Sequence, residues 1–321
     1  MSDRSRLVFT GNVIVDLVMT VEGLPEPGGD TIASSSQITA GGGFNVMVAA
    51  QRDGLNVVFA GQYGSGPFGE IVQAALGSSG IQVVQAGLPD QDSGFCVALV
   101  DRSTERTFVT SVGAEGRLTS ADLERITVND DDIVYVSGYS LAHPVNRDSL
   151  PRWLDALPPA ARVFTDPSPL IDELDPHVLQ RVYRRTDVLS TNAREAVMGS
   201  GRTDLDRAAE WFLDRIRPGG LVVIRDGADG CRLAGVRPGE VIHISGFNVD
   251  AVDTNGAGDA HGGVLAAALA HGLVPEDAAR RANAAAALAV TRSGPATAPT
   301  TGQIDELLEA GQVKRPAAAN R

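Results

Sequence analysis

Residues 253–259 read Asp-Thr-Asn-Gly-Ala-Gly-Asp, and an Ala-rich, helical stretch follows from about Ala260. Three small residues, Gly256, Ala257 and Gly258, immediately before a helix make an anion cradle. The first N–H groups of a helix lack partners and carry positive partial charge. Glycine lets an anion come close to them. Such a cradle needs no lysine. Asp259 falls in the first turn of the helix, an odd place for a carboxylate beside an anion unless it acts there. As a general base it would take the proton from a hydroxyl attacking phosphorus. As a helix cap it would only satisfy backbone N–H groups. The residues alone leave both roles open.

Further groups of this kind lie along the chain. Gly41-Gly42-Gly43-Phe44-Asn45 opens a helix; a glycine run is a turn by default, but Asn45 can donate to and accept from a polyol. Asp16 follows a strand-like run over 7–15, at the end where α/β proteins bind ligands; a solvated turn residue is the plainer reading. Asn192 with Glu195 three residues on is a capping box, or else Glu195 holds a hydrated Mg²⁺. Arg225-Asp226-Gly227-Ala228-Asp229-Gly230 follows a buried strand and reads equally as a tight turn between two strands.

The elements that must position these groups alternate. Strand-like runs lie at 7–15, 56–61, 133–136, 162–165, 188–190 and 221–225, and continuously apolar cores such as VVFA, IVYV and LVVI suggest strands buried on both faces. Helical stretches at 44–53, 67–79, 148–157 and 204–216 lie between them. The rhythm reads as βαβ units and a parallel sheet. Residues 20–39 and 93–112 break it, the second with a hairpin pattern around 102–105. Both read as strands outside the main sheet, a small flap over one edge; spacing does not exclude that they merely extend the sheet. The helical region from Asp259 to Arg292 is interrupted at 272–275, where Pro275 starts a new first turn. The tail after Val313 is low in complexity and is expected to be disordered.

Composition removes several alternatives. Of 27 basic residues only Lys314 is a lysine, and the net charge is −13. There is no P-loop lysine motif, no candidate Schiff-base lysine and no basic face for nucleic acid. Aromatics at 5% leave little for base stacking. Cys96 and Cys231 form no metal or redox motif and fit a reducing, cytoplasmic setting. His261 and His271 are too far apart on a helix to pair on zinc. The N-terminus lacks the apolar run of a signal peptide, and no stretch is long and apolar enough to span a membrane.

Taken in order, these segments resemble the ribokinase-like, or phosphofructokinase B type, carbohydrate kinases over nearly the whole chain. G-G-G-F-N at 41–45 and D-T-N-G-A-G-D at 253–259 look like that family's two signatures, and N-A-R-E at 192–195 like its N-x-x-E motif. The stretch at 282–295 with Pro299-Thr300, G-A-D-G at 227–230 and E-R-T-F at 105–108 also fit. The resemblance implies a three-layer α/β/α core over 1–15, 40–92 and 113–313, and a β-lid from 16–39 and 93–112. It implies ATP and Mg²⁺ as cofactors, a sugar-like substrate, no nucleic-acid or membrane partner and a homodimer through the lid. Asp259 would be the base, with the N–H groups of Gly256, Ala257 and Gly258 as anion hole. Asp16, Gly41, Gly42 and Asn45 would hold the acceptor. Asn192 and Glu195 would organise Mg²⁺ and phosphate, and Arg225, Gly227, Gly230 and Asn283 would line the ATP site. A K⁺ site would match Asp253, Asn255, Ala289, Arg292, Gly294 and Ala298. The sequence departs from the family at His261, commonly an aromatic, and Asn255, commonly Thr; a helix residue packed against the sheet is the preferred reading of His261.

A free sugar or sugar acid is the first expectation for the acceptor. A nucleoside would want stacking residues in the lid, for which Phe95 and Phe108 are available. A sugar phosphate would want Arg102 or Arg106 beside Asp16. An NAD-dependent oxidoreductase needs a G-x-G-x-x-G after the first strand, where the chain instead has G-N-V-I-V-D. A non-catalytic sugar sensor would have no need of an intact Asp259 and anion hole.

Overall fold

Continuously apolar strands need cover on both faces, and this chain supplies it. The computed structural model describes residues 5–103, 106–292, 294 and 296–313. Positions 104–105 of the hairpin turn, Ser293, Pro295 and the 314–321 tail lie outside the described residues. In chain order the elements are β1 (Arg6–Phe9), β2 (Val13–Thr20), β3 (Ser35–Gly42), α1 (Phe44–Arg52), β4 (Asn56–Phe59), α2 (Pro67–Ser78), β5 (Gln82–Val83), β6 (Phe95–Val100), β7 (Arg106–Ser111), α3 (Ser120–Leu123), β8 (Ile133–Ser137), α4 (Gly138–Leu141), α5 (Pro144–Asp155), β9 (Arg162–Asp166), α6 (Pro176–Tyr183), β10 (Val188–Asn192), α7 (Ala193–Ser200), α8 (Leu205–Leu213), β11 (Leu221–Arg225), β12 (Gly230–Arg237), β13 (Glu240–Ser245), α9 (Ala257–Ala270), α10 (Pro275–Ala289) and α11 (Thr301–Val313).

The large sheet runs β13-β12-β11-β10-β9-β8-β1-β4-β5. Its neighbours from β11 through β5 pair in parallel. Strands β12 and β13 are antiparallel, so the sheet is mixed rather than all-parallel. Alternate residues feed two cores: Leu221 and Val223 of β11 pack on one face and Val222 and Ile224 on the other. Helices α1, α9 and α10 cover the first face and α5, α6 and α8 the second, giving three layers. Helix α9 is buried from Ala260 to Leu269. Its small residues let it lie close to α1, where a side chain on Gly263 would start 2.3 Å from the Val46 carbonyl.

The run over 7–15 is not one strand. It breaks at Thr10-Gly11-Asn12, and β2 leaves the large sheet for a second one ordered β3-β2-β6-β7. The apolar residues on either side of Thr10-Gly11-Asn12 make the run read as one strand, because β1 and the start of β2 are both buried. A side chain on Gly11 would meet the Phe9 ring at 2.6 Å, so the turn needs a glycine. The two segments that broke the βαβ rhythm supply β3, β6 and β7, which join β2 in a separate four-stranded sheet. The Arg225–Gly230 segment is a one-turn link between antiparallel β11 and β12.

Candidate active site

Parallel register places the chemistry in a row. Ser137 pairs with Asp166, and Asn192 with Arg225, at the carboxyl ends of β8–β11. This edge is where open α/β sheets bind ligands. Helix α9 delivers its N-terminus to the same edge. Gly256 is the N-cap at φ 75, a left-handed conformation that suits glycine. No side chain caps the helix. The helix starts at Ala257, so Ala257 and Gly258 lie in its first turn rather than before it.

Asp259 does not cap. Its Oδ2 accepts from Asn45 Nδ2 at 3.2 Å, while Asn45 Oδ1 accepts the Ala296 N–H at 2.9 Å. Both ends of Asn45 thus hold the carboxylate in place against a loop. Burial pushes Asp259 up to about 6, with Asp166 and Asp16 adding to the rise and Asn45 and Arg225 opposing it. Such a group is ionised near neutrality yet basic enough to take a proton.

Asp16 lies within β2, not at the end of a large-sheet strand. Register puts it opposite Thr39 and Cys96. Burial pushes Asp16 up to about 6 as well, against the pull of Arg106. Its carboxylate is pressed against Gly41, where a Cβ would fall 1.9 Å from Oδ2. Gly42 takes φ +60 beside the Asn12 carbonyl. Thr39, directly across from Asp16, has a buried hydroxyl without a partner.

A cavity of about 410 Å³ opens beside these groups. Five of the six nucleotide-side residues expected from sequence line it: Asn192, Arg225, Gly227, Gly230 and Asn283, together with Ala257 and Gly258. Glu195 stands behind it, closing a capping box with Asn192. Its Oε2 accepts from Thr191 Oγ1 and the Asn192 N–H, each at 3.0 Å. Asn283 spends its polar atoms on the protein. It donates to the Ile244 and Ser245 carbonyls at 3.0 and 3.2 Å and meets His261 Nε2 at 3.1 Å. It holds the wall of the cavity rather than offering a free amide. His261 is buried, and burial with the Arg225 charge pushes it down to about 3, so it is neutral.

Sequence reasoning missed Asp166, whose signal was a lone Asp-Pro at the end of β9. Arg225 donates to Asp166 Oδ2 at 3.0 Å and to Ser190 Oγ at 2.9 Å, and lies 3.7 Å from Glu195. Burial works against the guanidinium's charge, but Asp166 and Glu195 keep it protonated. Burial and Asp166 in turn raise Glu195. Two nearby carboxylates, one of them driven toward protonation, are a donor set that a hydrated divalent cation would relieve. No cluster of three or more acidic, His or Cys ligands occurs among the described residues, so phosphate and water oxygens would complete such a site. Of the six positions matched to K⁺, Ala289 ends α10 and the other five lie in two loops joined by Asp253, which accepts the Asn255 N–H at 2.9 Å and the Gly294 N–H at 3.4 Å. No helix among the described residues is long and apolar enough to cross a membrane.

Comparison with known proteins agrees with this layout. The family model for pfkB family carbohydrate kinases matches residues 4–301. The Escherichia coli (strain K12) sugar kinase YegV, itself uncharacterised, is 28% identical, covering 95% of this chain and 94% of its own. Haemophilus influenzae ribokinase is 29% identical, covering 95% of this chain and 99% of its own. An E. coli structure provisionally assigned as ribokinase II, in complex with ATP and Mg²⁺, superposes with a TM-score of 0.80 at 23% identity, covering 95% and 99% of the two chains. By sequence over nearly its full length, this chain belongs to the pfkB family of carbohydrate kinases and is an ATP-dependent sugar kinase of ribokinase-like fold.

Proposed function

We propose that the enzyme transfers the γ-phosphoryl group of ATP to a hydroxyl of a free sugar or sugar-like molecule, with Asp259 as general base. The observation that carries this reading is Asp259 itself: a carboxylate at an uncapped helix N-terminus, tethered by Asn45 and raised to about 6 by burial. The acceptor lies between Asp16 and Asp259, under the four-stranded sheet acting as a lid. Asp16 and the Thr39 hydroxyl take its other hydroxyls. Asp259 removes the proton of the attacking hydroxyl. The N–H groups of Gly256, Ala257 and Gly258 face the charge that develops on the transferred group. Asn192, Gly227 and Gly230 border the nucleotide, and Arg225 stands beside Gly258, its Cζ 3.8 Å from where a Cβ would be. Glu195 and Asp166 would hold Mg²⁺, which would neutralise phosphate charge.

The two cations that would mark a phosphorylated acceptor have carboxylate partners: Arg102 pairs with Glu22, and Arg106, which also pulls on Asp16, pairs with Asp253. This favours an uncharged sugar over a sugar phosphate. A nucleoside is the second reading. Phe95 packs on Phe68, centroids 5.0 Å apart, but Phe108 pairs with Ala98, on the face of the lid that carries Cys96 and Asp16. On the opposite face, Ile38, Leu17, Val97 and Val109 form one cross-strand row. Ile38 and Val109 are exposed, which supports a homodimer through the lid. Two free, buried cysteines support a reducing, cytoplasmic setting. An ADP-release screen across sugars, sugar acids, sugar phosphates and nucleosides tests the acceptor class. Turnover confined to nucleosides would replace the first reading with the second.

A further inference from the structure

The family resemblance carries a monovalent cation beside the anion hole, and three arginines of this chain contest its place. A cation there needs acceptor oxygens and local negative charge. Asp253 is the carboxylate among the matched positions, and Arg106, reaching down from β7 of the lid, claims it. Arg106 Nη2 lies 2.7 Å from Oδ1 and 2.8 Å from Oδ2. Burial works against ionisation of Asp253, but the Asn255 N–H and Arg106 hold its carboxyl below the usual range. The second loop is claimed as well. Arg52, at the end of α1, donates to the carbonyls of Ala296 and Ala298 at 2.8 and 2.5 Å, and Ala298 is one of the matched positions. Arg292 donates to the Thr297 carbonyl at 3.2 Å. Arg52 and Arg292 are close enough that, after burial, the charge of Arg292 is what lowers the Arg52 pKa. One guanidinium thus holds the carboxylate and two more hold the carbonyls of the facing loop. A further cation would enter a positive field and find Asp253 and Ala298 already bonded.

We propose that this kinase works without a monovalent cation, its place taken by protein guanidinium groups. Arg106 supplies the charge on Asp253, and Arg52 and Arg292 brace the facing loop. The proposal rests on the phosphoryl-transfer reading above. Because Arg106 belongs to the lid, it also makes the charge arrive with lid closure: Asp253 opens the segment that ends in the anion hole, so the lid and the hole are tied by one ion pair. Arg106 is a positioning residue, acting on the hole through Asp253.

The test compares the full-length enzyme in KCl and in tetramethylammonium chloride at equal ionic strength, by ADP release with the acceptor from the screen and by thermal melting without any acceptor. The expected result is turnover equal within about 1.5-fold and an unchanged melting temperature. An Arg106→Ala enzyme is expected to lose about tenfold or more in tetramethylammonium and to regain several-fold on adding K⁺ or guanidinium ion. Three results overturn the proposal: a wild-type rate raised more than about threefold by K⁺, a wild-type melting temperature raised by K⁺, or an R106A rate that is the same in all these salts. If no acceptor is turned over, the phosphoryl-transfer reading fails, and the melting comparison still decides the cation question.

Discussion

Replacing Asp259 by Asn removes a charge and keeps the shape, and its two consequences run in opposite directions. The variant loses the base, so turnover falls by about 10²–10⁴-fold, the usual contribution of a positioned general base. The fold, however, gains. Burial raises the Asp259 carboxyl from 3.8 to about 6, and a tenfold change in a protonation equilibrium is worth about 1.4 kcal/mol. The folded-state pKa lies above the unfolded one. The carboxylate therefore costs nothing below about pH 4, costs progressively more as the pH rises, and costs its full amount above about pH 6. Allowing for partial exposure, that cost is about 2 kcal/mol. D259N removes it, while its amide oxygen still accepts from Asn45. The melting temperature at pH 7.5 is expected to rise by roughly 3 °C for a chain of this size, with no rise at pH 3.5. ADP release measures the first effect, calorimetry the second, and ATP titration should show nucleotide affinity within about threefold of wild type. A turnover within about tenfold of wild type refutes the base assignment. A lower melting temperature at pH 7.5 refutes the electrostatic account of the site.

Wild-type kcat is expected to fall on the acid side with an apparent pKa near 6, as Asp259 takes up a proton; a flat profile down to pH 5 would speak against it. Gly41→Ala places a Cβ 1.9 Å from Asp16 Oδ2, so steady-state kinetics should show the acceptor KM raised by about tenfold or more with the ATP KM unchanged. Arg225→Met leaves Asp166 and Glu195 facing each other without their cation. Denaturant unfolding should show a loss of about 3 kcal/mol at pH 7, and less in acid, where the raised Glu195 takes up a proton. Asn283→Ala strips partners from two carbonyls and from His261, which should cost about 1–3 kcal/mol and weaken ATP without changing the acceptor KM.

What could be read from the chain alone was local. Residues 253–259 combine glycine, small side chains and a helix start within one stretch, so the cradle was visible wherever the stretch might lie. Glu195 was visible as a box partner of Asn192 because a capping box spans only four residues. Asp166 was not, since one Asp-Pro resembles any turn until parallel register sets it beside Arg225. The split of 7–15 had a local signal in Thr10-Gly11-Asn12, but both halves are apolar and buried, and nothing local says that they join different sheets. Asn45 was read as a substrate contact from its chemistry. Its partner Asp259 lies 214 residues away, and the contact turned it into a holder of the base.

The chain by itself determined the class of solution. With one lysine and a net charge of −13, a lysine-based phosphate site is excluded, and the sequence places small residues with free backbone N–H groups at the start of α9. The tertiary structure decided that Asp259 does not cap its helix, where Asp16 sits, and which charges neutralise which. The reason is physical. A helix N-terminus is built by neighbours in sequence, whereas a pKa and an ion pair depend on burial and on charges brought in from distant segments. Arg106 and Asp253 are 147 residues apart; only the folding of the lid over the core makes them one group.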